Sequence, residues 1–234
     1  MTTLNNFVAI DWRSGPDQTY FFFKNTNTYS RFDNAENRIL EGYPKEVTNK
    51  SWGRFHQHAR HLRFGFTTTG FLPTPQPLGF DSDVLWLFYY DGDRPMVCKY
   101  DQDIDDVDST MSLNESPWRA LAPYFDRIVA GTWRLTLIRR RHFEFLLNDG
   151  QQITLDMHKI DRPIISKVGW PGLQPYADRI ITAVQIDGTL TDSVYYIFLT
   201  NNEYIKYNLM TFKLISGPRL VDEGSWPGLL TSSS

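Results

Sequence analysis

Aromatic and β-branched residues gather in short runs along the chain, with polar turns between them. One set of runs covers residues 19–23, 84–90, 142–147 and 194–199. A polar turn follows each: Asn25-Thr26-Asn27, Asp91-Gly92-Asp93, Asn148-Asp149-Gly150 and Asn201-Asn202-Glu203. Beyond each turn stands a second run, at 28–32, 96–100, 152–155 and 204–207. Asn, Asp and Gly tolerate the positive φ of tight hairpins, so each pair of runs predicts a β-hairpin. A further apolar strand opens each group, at 7–12, 62–66, 128–133 and 180–185. The mostly polar stretch closing each group has room for a fourth strand and a short helix.

The groups repeat. Residues 118–128 read W-R-A-L-A-P-Y-F-D-R-I and residues 170–180 read W-P-G-L-Q-P-Y-A-D-R-I, with seven identities at an offset of 52. Trp52 and Trp226 complete the series, at spacings of 66 before Trp118 and 56 after Trp170. Four units of about four strands, none able to bury both faces alone, predict an all-β, four-bladed β-propeller in a single domain over residues 1–234. The blades fall near 6–55, 60–121, 126–173 and 178–230, and the second is lengthened by an insertion at 67–83.

The first unit carries A-I-D-W-R-S from Ala9, T-Y-F-F-F-K from Thr19, Y-S-R-F-D from Tyr29 and G-Y-P-K-E-V from Gly42, and it closes on Trp52. With the terminal W-P-G-L after Trp226, this pattern resembles the hemopexin repeat, including plant albumin-2-type members of similar size. The resemblance implies a binding module with an ion in the central tunnel, held by backbone carbonyls of the four innermost strands. Carried onto this chain, the carbonyl positions are Ala9, Phe64, Ala130 and Thr182, and the ion would be calcium, sodium or chloride. Space near a four-fold axis is tight, so alanine and threonine suit it, whereas Phe64 would plug the tunnel. With the register slipped by one residue, Arg63 would repel a cation and favour an anion. The vertebrate members join first and last blades by a disulfide. Cys98 is the single cysteine here, so closure must rest on packing.

Charge and composition narrow the partners. With 24 Lys and Arg against 27 Asp and Glu the net charge is -3, which argues against a nucleic-acid binder dominated by phosphate contacts. No apolar run approaches the ~18 residues of a membrane span, and Met1-Thr2-Thr3-Leu4-Asn5-Asn6 lacks the basic and apolar regions of a signal peptide. With one cysteine, this favours an intracellular setting.

The irregular residues are the candidates for chemistry. His56, His58 and His61 lie on the first crossover, where three imidazoles can serve a transition metal or haem iron. By offset, however, His58 and His61 occupy the slots of Tyr124 and Arg127, which makes them framework positions as readily as ligands. Arg139-Arg140-Arg141-His142 can grip an anion at a rim or simply form a solvated turn. The run Asp101-x-Asp103-x-Asp105 starts like a calcium loop but has Asp106 and Ser112 where the loop needs Gly and Glu. Two functions follow. The first is a small-molecule binding protein, monomeric or a homodimer, that takes a haem-like, polyamine or sugar ligand at the tunnel mouth through His56, His58, His61, Arg63, Trp12 and Trp133. The second is an isomerase or cyclase acting on an apolar small molecule there without a required cofactor, with Arg63, Trp133 and Arg134 as its catalytic set. A protein-interaction scaffold is a third, weaker reading.

Overall fold

The computed structural model describes residues 3–13, 15, 17–69, 83–135, 141–156, 164–166, 169–187 and 193–233. They form four sheets. The first holds β1 (Phe7–Trp12), β2 (Gln18–Phe23) and β3 (Thr28–Asp33), with two short pieces, β4 (Arg38–Ile39) and β5 (Lys45–Glu46), both paired to β3. The second runs β6 (Leu62–Thr68), β7 (Val84–Asp91), β8 (Arg94–Asp101) and β9 (Asp106–Ser112). The third runs β10 (Ile128–Leu135), β11 (Arg141–Leu147), β12 (Gln152–Asp156) and β13 (Ile164–Ser166). The fourth runs β14 (Ile180–Asp187), β15 (Ser193–Leu199), β16 (Glu203–Asn208) and β17 (Lys213–Leu220). Neighbours within each sheet are antiparallel. Each first strand packs on two other first strands, in the cyclic order β1, β6, β10, β14, which closes a four-bladed propeller.

The hairpins form where expected. Positive φ occurs at Asn27, Gly92, Gly150, Asn201 and Asn202, the turns that join second to third strands. β2 reads QTYFFF and is buried at all six positions, because a central blade strand has a neighbouring blade against each face. The expected short helices are mostly 3-10 turns, such as Arg119–Arg127 and Gln174–Arg179, and they carry the chain from one blade to the next.

The repeat tryptophans are wedges between blades. Trp118 packs among Phe66 and Phe88 of the second blade and Phe143 and Phe145 of the third. Trp52 fills the equivalent place between blades one and two, Trp170 between three and four, and Trp226 between four and one. Glycine is required where the inner strands approach their neighbours. A Cβ on Gly131 would lie 2.7 Å from the Phe66 ring, and one on Gly65 2.9 Å from the Trp86 carbonyl.

Every sheet is built from strands consecutive in the chain, so the ring closes without strand exchange. Cys98 is buried and free on β8. The seam between blades one and four consists of an apolar cluster of Phe7, Phe21, Phe23, Phe198 and Trp226. The Leu4 amide donates to Asn202 Oδ1 at 2.6 Å and the Ile39 amide to the Pro227 carbonyl at 3.2 Å.

Candidate functional site

The four inner strands run in one direction: Ala9 of β1 donates its amide to Thr182 Oγ1 of β14 at 3.2 Å, and Arg13 further on reaches Asp187. They therefore end together at one mouth of the axis, where polar residues interrupt otherwise apolar strands. Asp11, buried at the end of β1, accepts the Thr67 amide at 3.0 Å on Oδ1 and Arg13 Nε at 2.7 Å on Oδ2. Its carbonyl accepts the Thr67 hydroxyl at 2.7 Å. Gln102 Nε2 donates to that hydroxyl at 2.9 Å. On the other side, the Arg13 guanidinium pairs with Asp187, whose Oδ1 accepts Gln185 Nε2 and Ser193 Oγ, each at 2.7 Å. The Thr132 hydroxyl donates to Gln185 Oε1. One hydrogen-bonded chain thus passes through all four blades.

The two carboxylates differ in state. Burial pushes Asp11 above the usual carboxylate range, and Arg13 and the Thr67 amide offset this only in part. Burial also works to raise Asp187, but Arg13, Gln185 and Ser193 outweigh it, and that carboxyl ends below its ordinary value. Asp11, Arg13, Gln185 and Asp187 meet Trp12, Asp17, Gln18 and Asn34 at a shallow depression that leaves no water-sized space between them.

The residues expected at one mouth are divided between the two ends and the core. Arg63 sits at the start of β6, at the opposite end from Trp12, and donates to the Asp126 carbonyl at 2.8 Å. Trp12 is buried between blades one and two, 5.0 Å from the Tyr20 ring and 6.2 Å from Trp52. Trp133 is half-buried against the cluster between blades two and three, and Arg134 follows it on β10. The plug expected from Phe64 does not arise. Its ring leaves the axis to stack on Phe88 at 4.3 Å, because the outward-facing groove between blades two and three offers it aromatic partners. Ala9 and Ala130 lie in the flanking interblade clusters.

The histidines do not converge. His56 Nδ1 lies 2.8 Å from the Gly53 carbonyl, the His58 ring packs 4.5 Å from Tyr89, and His61 is exposed. Burial, then the neighbouring imidazoles, lower the His58 pKa against the pull of Asp91. Among the described residues no group of three His, Cys, Asp or Glu can share a metal ion. The acidic run at 101–108 spans the end of β8, a turn at 102–105 and the start of β9, with Asp101 Oδ1 accepting the Asp103 amide at 2.9 Å. Residues 70–82 of the insertion, and Arg139 and Arg140 of the arginine run, lie outside the described residues.

At the opposite mouth Lys24 follows β2, and burial, reinforced by the Arg63 guanidinium, lowers its pKa to about 8. A folded pKa below the unfolded value of ~10.4 means that the unfolded chain binds more protons between those limits, so stability rises with pH there. Lys24→Met is expected to be more stable than the parent at pH 7 by roughly 1–2 kcal/mol and to lose the rise between pH 8 and 10. Chemical denaturation across that range checks it; an unchanged rise would show that Lys24 is not its source.

Fold and site together define a four-bladed β-propeller with a polar closure at one mouth. No protein-family model and no curated protein matches the sequence. Solved structures with some likeness include a protein of unknown function from Bacteroides caccae (7% identity, TM-score 0.32, over 92% of this chain and 60% of that one). Others are the Dos1 propeller (10%, 0.29, 87% and 43%) and a luciferin-regenerating enzyme (8%, 0.36, 94% and 76%). The chain thus spans 60% of the length of the first of these. At such scores the fold rests on the strand pairing itself.

Proposed function

We propose that the chain is a hemopexin-like small-molecule binding protein that takes its ligand at the mouth where β1, β6, β10 and β14 end. The observation that supports this is the convergence of Asp11 and Asp187 with Gln185, Thr132 and Thr67 around one end of the axis. Among haem-like, sugar and polyamine ligands, the geometry favours a polyamine. The side chains at this mouth leave no water-sized space between them, so a sugar ring or a haem does not fit, whereas an ammonium terminus can pair with the carboxylates from the rim. Two carboxylates against one guanidinium leave the mouth negative once Asp11 ionises. In the same reading, the carbonyls of Ala9, Phe64, Ala130 and Thr182 would hold a tunnel ion deeper on the axis. Haem at His56, His58 and His61 has less support, since these side chains are engaged separately.

Titration calorimetry with spermidine tests the proposal. Binding in the micromolar to millimolar range is expected, tightening as pH rises through the raised Asp11 range and weakening about tenfold or more in Asp187→Asn. No heat with millimolar spermidine across pH 5–9 would sink it. The second reading, a cofactor-independent isomerase or cyclase, draws on Asp11, whose burial keeps a proton available in a water-poor site.

A further inference from the structure

A second candidate site lies away from the axis, where the first blade meets the Asp105 turn of the second. The chain from β5 through the short helix Asn49–Trp52 turns back over β2 and β3 and leaves a cleft of about 360 Å³. This is within the range of small-molecule sites. Its aromatic wall is Tyr20, Tyr29, Tyr43 and Trp52. Tyr20 and Tyr29 stack at 6.1 Å with their planes 2° apart, and Tyr43 meets Tyr29 edge-on at 5.4 Å. These rings form a rigid surface for a flat ligand.

Its charged wall is Arg31, Lys45 and Lys50. None of them has a carboxylate within ion-pair distance among the described residues. Arg31 is held by Gln18 Oε1, 2.9 Å from its Nε, which places the guanidinium 5.4 Å over the Tyr20 ring. Lys45 Nζ stands 4.6 Å over the Tyr43 ring. Of the two acidic residues that border the cleft, Asp105 accepts the Tyr100 hydroxyl at 2.9 Å and Glu46 is exposed. The remaining feature is Tyr20. The residue is only 6% exposed, and its hydroxyl, which makes no hydrogen bond to the described residues, opens onto the cleft. A hydroxyl that opens onto a cleft takes its hydrogen-bond partner from whatever occupies the cleft. A ligand acceptor would supply one.

We propose that this cleft binds a small aromatic anion, its ring against Tyr43, its charged group among Arg31, Lys45 and Lys50 and accepting a hydrogen bond from the Tyr20 hydroxyl. The proposal is independent of the axial site, which has the opposite charge preference.

The probes are phenyl phosphate and benzoate, with inorganic phosphate and phenol as partial ligands, in calorimetry on the full chain at low salt. Phenyl phosphate or benzoate is expected to bind with a Kd of about 1 mM or tighter, and the stronger of the two identifies the anionic group. Lys45→Ala with Lys50→Ala should weaken binding about tenfold, and Tyr20→Phe about fivefold with an unchanged unfolding midpoint. Lys206→Ala, whose ammonium lies 5.2 Å over the Tyr196 ring on the fourth blade, should leave it unchanged. Absence of binding by both probes at 10 mM overturns the proposal. So does equal weakening in Lys206→Ala, or inorganic phosphate binding as tightly as phenyl phosphate.

Discussion

Replacing Trp118 with alanine is expected to lower the unfolding free energy by about 3–5 kcal/mol, a large part of the ~5–15 kcal/mol that holds a typical domain folded. The indole is fully buried and meets Phe66, Trp86, Phe88, Phe143 and Phe145 with ring centroids 4.7–6.0 Å away. These rings belong to two blades, so the cavity would open on both and neither could collapse into it without parting from the other. Trp118→Phe should recover much of the loss, since an edge-on ring can keep part of the contact set. Urea unfolding followed by circular dichroism measures both. A Trp118→Ala chain within 1 kcal/mol of the parent would show that blades two and three do not depend on the wedge.

The second large effect is expected at Arg13. Its guanidinium lies between the carboxylates of Asp11 and Asp187, with the side chains of Arg13 and Asp187 only 14% and 32% exposed. Arg13→Met keeps the aliphatic stem and leaves two partly buried carboxylates facing each other, so a loss of about 3–5 kcal/mol is expected at pH 7. The pH dependence separates the two acids. Asp187 has a folded pKa below its unfolded value, so its contribution is present above ~pH 4 and is lost as pH falls through the folded value. Asp11, raised by burial, acts in the opposite sense: its contribution is present below ~pH 4 and declines as pH rises through its folded value. Arg13→Met should remove the acid-side loss assigned to Asp187 and steepen the decline assigned to Asp11. Thermal unfolding from pH 3 to pH 8 reads both slopes, and parallel curves for parent and variant would rule out this account.

The same residues explain how far the sequence could be read. The hairpins were legible because Asn27, Gly92 and Gly150 stand between runs such as residues 19–23 and 28–32, and turn chemistry is local. The apolar runs of the inner strands end at residues 66, 133 and 185, whereas the strands continue to Thr68, Leu135 and Asp187. A polar residue after an apolar run reads as the end of a strand. Here Thr67 and Asp187 prolong the strands, since their partners come from other blades around the axis. A sequence-local rule has no means of pairing Asp11 with Thr67, or Thr132 with Gln185. Buried polar residues ending apolar inner strands were the available signal. Tyr20 poses the converse problem: T-Y-F-F-F-K marks a strand, and only the fold shows that the Tyr20 hydroxyl opens onto a cleft.

The seam between first and last blades also sets a timetable for synthesis. The Leu4 amide and its acceptor Asn202 are 198 residues apart in the chain. At roughly 5–20 residues per second, the face of the first blade built from Phe7, Phe21 and Phe23 waits ~10–40 s on the ribosome before Phe198 and Trp226 arrive to cover it. During that interval the nascent chain carries an uncovered aromatic surface with no cysteine partner to hold the arc closed. Yield in the cell should therefore depend on chaperone supply more steeply than the stability of the finished ring would suggest.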